Sequence, residues 1–237
     1  MDATLVTLNQ SKSTVNEAYR TLQSNVSFSS TDQKLKTLTV TSPGVSEGKS
    51  TTSANLAITY SQTGQRVLLV DCDLRCPRIH HLFHLSNQQG LTNLLCLKQE
   101  LDELKQSVRA NLDVLTAGPL PPNPVEVLNS QGMKQFIETI GELYDIVIFD
   151  TPPVGILTDA ALIAAHTDGT LLVVASGKSE IDLLKLAKEQ LTHAKANLIG
   201  AVMTMVPIQY KNYYRYYEHY GLETKSKRRF RLWRKKR

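Results

Sequence analysis

Between residues 35 and 61 the chain reads as a β-branched strand, a loop ending in Gly-Lys-Ser and a helix, and few folds accommodate that order. Leu35 to Ser42 (LKTLTVTS) carries the strand signal, Pro43 to Thr51 (PGVSEGKST) holds the loop, and Lys49 to Ser61 has helical apolar faces. Gly48 lets the backbone come close to a phosphate, and amides at the helix start point at the anion. Lys49 supplies a mobile positive charge, and the Ser50 hydroxyl suits Mg²⁺. The strict pattern wants glycine where Pro43 stands, with Gly44 one step late, and Ser46 carries a Cβ where glycine is freer. The loop is a variant phosphate cradle.

Two further strands strengthen the reading. Arg66 to Asp71 (RVLLVD) and Tyr144 to Asp150 (YDIVIFD) are continuous apolar runs that end in a carboxylate, the pattern of parallel strands covered on both faces. A P-loop protein needs an acid near its metal at the carboxyl end of a neighbouring strand, and Asp150 fits that place. Asp71 and Asp73 form a second acidic element, spaced to project to one side of an extended segment. More strands are predicted at Leu112 to Thr116, Thr170 to Ala175 and Leu198 to Thr204, with helices near Pro124 to Ile140, Thr158 to Ala165 and Ser179 to His193. The expected fold class is α/β, a doubly wound, mostly parallel sheet.

Composition divides the chain. Of 27 Lys+Arg, nine lie in residues 225 to 237 (KSKRRFRLWRKKR), which contain none of the 22 Asp+Glu, so a mildly acidic body carries a cationic tail. Tyr210 to Tyr220 (YKNYYRYYEHY) holds six of the nine tyrosines and fits neither the helical nor the alternating template. The expected domains are an N-terminal helical segment at 1 to 34, a P-loop domain at 35 to 208 and a flexible tyrosine-rich and basic tail at 209 to 237. Three cysteines, Cys72, Cys76 and Cys96, make no disulfide framework, which fits a reducing cytosol. No stretch reaches the roughly 18 apolar residues needed to cross a bilayer.

SPGVSEGKSTT, VLLVDCDLRCPRIH, IVIFDTPP and the C-terminal tyrosines together resemble the cytoplasmic bacterial tyrosine kinases of capsule and exopolysaccharide synthesis, over nearly the whole chain. In family terms these segments look like Walker A, Walker A′ and Walker B, on a fold like that of partition and division-site ATPases. The resemblance implies ATP and Mg²⁺ as cofactors, with Gly44, Glu47, Gly48, Lys49, Ser50 and Thr51 around the nucleotide. It implies Ser50, Asp71 and Asp150 at the metal, and Lys49, Asp71, Asp73 and Asp150 in catalysis; Asp71 and Asp73 remain alternatives for the proton acceptor. Tyr210, Tyr213, Tyr214, Tyr216, Tyr217 and Tyr220 would be autophosphorylated in trans by a neighbouring subunit. Glu17 and Arg20 match part of an oligomerisation pattern, Glu-x-x-Arg-x-x-Arg, whose last arginine is here Gln23. The implied partners are a separate membrane-spanning activator of the polysaccharide chain-length regulator type, further copies of the chain, with a ring as the family's assembly, and a cognate phosphotyrosine phosphatase. The implied location is the cytoplasm, with peripheral recruitment to the inner face of the cell membrane.

Competing readings set what the structure must answer. A partition- or positioning-type ATPase would use the same acids on water, and a nucleotide-gated adaptor would bind ATP without turnover. Residues 225 to 237, with Phe230, Leu232 and Trp233 among the cations, suit an anionic membrane surface or a solvated end, with nucleic acid the weakest of the three. His80, His81 and His84 near Cys76 raise a zinc reading, since His80 and His84 would share a helical face, although the family has no metal site there. Cys72, between two acids, reads as a small buried residue.

Overall fold

The computed structural model describes residues 5–8, 13–29 and 35–207. The tyrosine cluster, the basic tail and the other ends of the expected domains lie outside the described residues. Seven strands form one sheet: β1 (Thr37–Thr41), β2 (Val67–Asp71), β3 (Gln106–Arg109), β4 (Leu112–Leu115), β5 (Ile146–Asp150), β6 (Gly169–Ala175) and β7 (Leu198–Thr204). Their order is β3-β4-β2-β5-β1-β6-β7, and every neighbouring pair is parallel except the β3–β4 hairpin.

The continuous apolar runs have a direct packing explanation. Val67 and Leu69 of β2, with Ile146 and Ile148 of β5, enter one core with Leu56 and Ile58 of α2 (Lys49–Gln62). Leu68 and Val70, with Val147 and Phe149, enter the other core beneath Phe136, Ile137 and Ile140 of α7 (Gln131–Leu143). Alternate side chains thus meet helices on opposite faces, so no position in these strands is left for a polar residue until the strand ends. Each such fully buried Leu, Ile, Val or Phe contributes about 1.5–3 kcal/mol of transfer free energy.

The predicted long helix over 124–140 is in fact α6 (Pro124–Leu128) and α7. They part at Asn129–Ser130, where the Ser130 hydroxyl accepts the Met133 amide at 3.2 Å and caps α7. Strand β3 and the short helices α3 (Ile79–Phe83), α4 (Leu91–Leu97) and α5 (Leu101–Leu104) had no clear signal, being elements of four to seven residues, too short to show a period. Helix α1 (Thr14–Phe28) lies against α2 and sends Val26 into the same core, while Leu5 joins that core from the short turn before it. Two more helices, α8 (Asp159–Ala164) and α9 (Ile181–His193), cover the β6 side. No helix among the described residues is long and apolar enough to cross a membrane.

Candidate nucleotide and phosphoryl-transfer site

Strand order gathers the motifs. Because β5 lies between β2 and β1, the carboxyl ends of all three emerge side by side, with Asp71 opposite Asp150 and Val40 opposite Asp150 in register. The chain leaving β1 turns through Ser46 (φ 55°) and Gly48 (φ 95°) into α2, whose first residues are Lys49 and Ser50. Left-handed backbone costs a glycine little, but Ser46 pays a steric penalty for its Cβ. A cavity of about 420 Å³ opens there, lined by residues 45–51 together with Asp73, Cys76, Arg78 and Met205.

Acidic groups are buried behind the cavity. Asp71 and Asp150 are fully buried, and Lys49 is buried beside them with Nζ 3.2 Å from Oδ2 of Asp73. Burial and the facing Asp150 push the Asp71 carboxyl up to about 8. Asp150 is also raised, by burial first, against the lowering influence of Lys49 and the hydroxyls of Ser50 and Ser53. Burial alone would depress Lys49, yet Asp150 and Asp73 outweigh it and the ammonium is held charged. One oxygen of Asp150 accepts the Ser53 hydroxyl at 3.0 Å, and the other, Oδ2, is buried with no hydrogen-bond partner. An orphaned carboxylate oxygen facing Ser50 at the start of a helix suits a hard divalent cation.

The two acids of the second element behave differently. Asp71 is consumed by the backbone: Oδ2 accepts the amides of Arg78 and Ile79, each at 3.0 Å, and Oδ1 accepts that of Asp73 at 3.2 Å. Asp73 lines the cavity. They do not project together as an extended spacing suggests, because β2 ends at Asp71 and the chain turns there. Glu47 is buried with its carboxylate folded back onto the Gly44 amide at 3.1 Å, so it meets the cavity through the loop and not as a free acid, and Gly44 sits behind the lining. Lys49, Ser50, Thr51 and Gly48 all line the cavity.

The histidine geometry differs from the expectation. His84 leaves α3 as a left-handed cap, so it does not share a helical face with His80; the His80 and His81 rings lie 3.9 Å apart, tilted by 39°, and no three His, Cys, Asp or Glu side chains among the described residues converge on a metal position. Cys72 is buried, and burial beside Asp71 pushes its thiol well up. Glu17 and Arg20 pair with each other on the outer side of α1. Sequence reasoning missed Ser53, which the helical period places four residues after Lys49 on the same face. It also missed the pairing of Arg75 with buried Asp159 at 3.5 Å, which ties the second acidic element to the chain beyond β5 and had no local signal.

Residues 35–178 match the family model described as "AAA domain". Tyrosine-protein kinase YwqD of Bacillus subtilis is 42% identical over 218 residues, 92% of each chain. The chain belongs to the bacterial tyrosine-protein kinases. Among solved structures, the chimerical protein CapA2B2 superposes on the kinase with a TM-score of 0.82 at 37% identity, covering 87% of this chain and 92% of the other. The kinase domain of Escherichia coli ETK gives 0.78 at 34%, covering 81% and 76%. The septum site-determining protein MinD of Pyrococcus horikoshii, at 21% identity and a TM-score of 0.60 over 71% of this chain and 69% of its own, shares the fold. The kinase is thus a P-loop protein on a mostly parallel sheet that acts on protein tyrosine.

Proposed function

We propose that the kinase binds ATP with Mg²⁺ in the cavity at the carboxyl end of β1, β2 and β5, and transfers the γ-phosphoryl group to the C-terminal tyrosines of a neighbouring copy. The observation that carries the reading is the orphaned Oδ2 of Asp150, buried beside Ser50 and Lys49 in a chain whose relatives are tyrosine kinases. Ser50 and Asp150 would hold the cation, with Asp71 behind them, ionised once the cation is bound; when bound, the cation supplies charge neutralisation on the phosphates. The amides of residues 47–50 cradle the phosphates. Lys49, paired with Asp73 in the structure, turns to the phosphates, and its departure frees Asp73. Asp73, the acid that lines the cavity, then accepts the hydroxyl proton as the tyrosine oxygen attacks phosphorus and ADP leaves.

The wider role follows the family resemblance: regulation of extracellular polysaccharide assembly from the cytoplasmic face of the membrane, with a separate membrane-spanning activator, a ring of subunits linked through Glu17 and Arg20, a cognate phosphatase and the tail at 225–237 on anionic lipid. Each phosphotyrosine adds about −1.5 to −2 charges, enough to expel the modified segment from an acidic-floored site. Purified protein incubated with labelled ATP and Mg²⁺, with and without an activator fragment, tests the core claim. Label on wild-type tyrosine that is lost both in Lys49→Met and when all six tyrosines of 210–220 become Phe supports it. Free phosphate released equally by wild type and the Phe variant, with no protein label, favours the positioning ATPase; ATP binding with no product favours the adaptor.

A further inference from the structure

Two side chains outside every nucleotide motif grip the phosphate loop from behind. Lys178, in the turn between β6 and α9, donates from Nζ to the carbonyl of Ser46 at 2.8 Å. Thr204, the last residue of β7, donates from Oγ1 to the carbonyl of Glu47 at 2.7 Å, and its side chain stands against Gly48, where an added Cβ would lie 3.4 Å from the Thr204 methyl. Ser46, Glu47 and Gly48 line the cavity, but neither Lys178 nor Thr204 does. Both carbonyls are therefore drawn away from the side the ligand occupies.

Peptide planarity turns that grip into a consequence. In a trans peptide the carbonyl and the following N–H point in opposite directions. Holding the Ser46 and Glu47 carbonyls toward β6 and β7 aims the Glu47 and Gly48 N–H groups toward the cavity, as a phosphate-binding nest requires. The grip matters here because Ser46 is left-handed without being glycine, so the loop does not hold this shape by its own preference.

We propose that Thr204 and Lys178 are positioning residues that set the phosphate-binding conformation of the loop from the far strand of the sheet. The proposal rests on the nucleotide reading of the cavity. Thr204 is half-buried and short, so ordering it costs little, whereas Lys178 is exposed and loses side-chain entropy when held. Thr204 carries the larger effect.

The test measures binding of a fluorescent ATP analogue, its displacement by inorganic tripolyphosphate, kinase rates against ATP concentration and thermal melting, in wild type, Thr204→Val, Thr204→Ser, Lys178→Met and Lys178→Arg. Thr204→Val should weaken ATP and tripolyphosphate alike, by roughly tenfold, with KM rising more than kcat falls, while Thr204→Ser stays near wild type. Lys178→Met should lose about two- to threefold, restored by Lys178→Arg. Unchanged binding in Thr204→Val overturns the proposal, as does a loss for ATP with none for tripolyphosphate, which would mark a contact to the base. Should Thr204→Val melt early, the lysine pair decides: Lys178→Met binding as wild type overturns the clamp. A wild type that binds ATP while the variants match it removes the clamp alone; a wild type that binds no ATP removes the nucleotide reading and the clamp with it.

Discussion

The two poles of the sheet each gather a lysine, an acid and a hollow, and only one of them is left chemically unfinished. At the carboxyl pole Asp150 keeps a buried oxygen without a partner, and three acids crowd around Lys49. At the amino pole, beside a larger hollow of about 650 Å³, Asp113 receives the Tyr144 hydroxyl at 2.8 Å and the Ser107 hydroxyl, with Lys105 Nζ at 3.7 Å. Its polar atoms are satisfied within the fold. Size of cavity therefore misleads, whereas unpaired buried charge identifies the pole that awaits a ligand.

The contrast predicts opposite outcomes for removing an acid at each pole. Lys49→Met should lower tyrosine phosphorylation by about a thousandfold, since charge neutralisation is most of what phosphoryl transfer needs. Asp150→Asn should lose at least about a hundredfold, and nucleotide-free Asp150→Asn should melt higher than wild type, because the change relieves the desolvation of a buried carboxylate and its repulsion by Asp73. At the other pole Asp113→Ala should cost about 1–2 kcal/mol by stranding the Tyr144 hydroxyl, while Lys105 keeps Asp102 at 2.6 Å, with kinase activity at saturating ATP unchanged. Equal loss of activity from Asp113→Ala and Asp150→Asn, with stability lowered in both, would abolish the distinction.

How far the sequence carries this contrast depends on whether a feature is local. The strand–loop–helix at 35–61 and the acid-ended strands, and from them the parallel sheet, were readable because each is assembled from continuous local runs of about a dozen residues. What the sequence does not reveal is pairing at a distance. Thr204 meets Glu47 across 157 positions, and Ser53 meets Asp150 across 97. Asp71 and Asp73 look equivalent in VDCDL, yet the turn after β2 spends one on three backbone amides and leaves the other facing the cavity. Strand β3 escaped notice because QSVR is a half-exposed edge, held by the hairpin turn through Asn111 (φ 62°) and not by an apolar pattern.

pH separates the poles further. The folded-state value for Asp71 lies above the ordinary carboxylate range, so between about pH 4 and pH 8 the folded, nucleotide-free protein holds a proton that the unfolded chain has released. Stability contributed by this group is present at low pH and declines as pH rises through that window. Melting temperature of the nucleotide-free kinase should fall from pH 5 to pH 8, and Asp71→Asn should flatten the slope; a slope unchanged in Asp71→Asn would place its origin elsewhere.

The smallest effect is expected from Tyr144→Phe. Burial first, then the hydrogen bond to Asp113, push the Tyr144 hydroxyl up to about 12, so it donates as a neutral group across the whole working range. Phenylalanine keeps the ring in the core beside α7 and deletes only that donor. Asp113 retains Ser107 and Lys105, so its charge is not stranded, and the loss should be about 1 kcal/mol, read as a small drop in the urea midpoint with an unchanged slope. Phosphorylation rate and KM for ATP should both match wild type, because Tyr144 and the phosphate loop lie at opposite ends of the sheet with its packed core between them. A Tyr144→Phe variant with altered KM and unaltered stability would mean that the amino pole is coupled to the nucleotide, and that its satisfied appearance conceals a function.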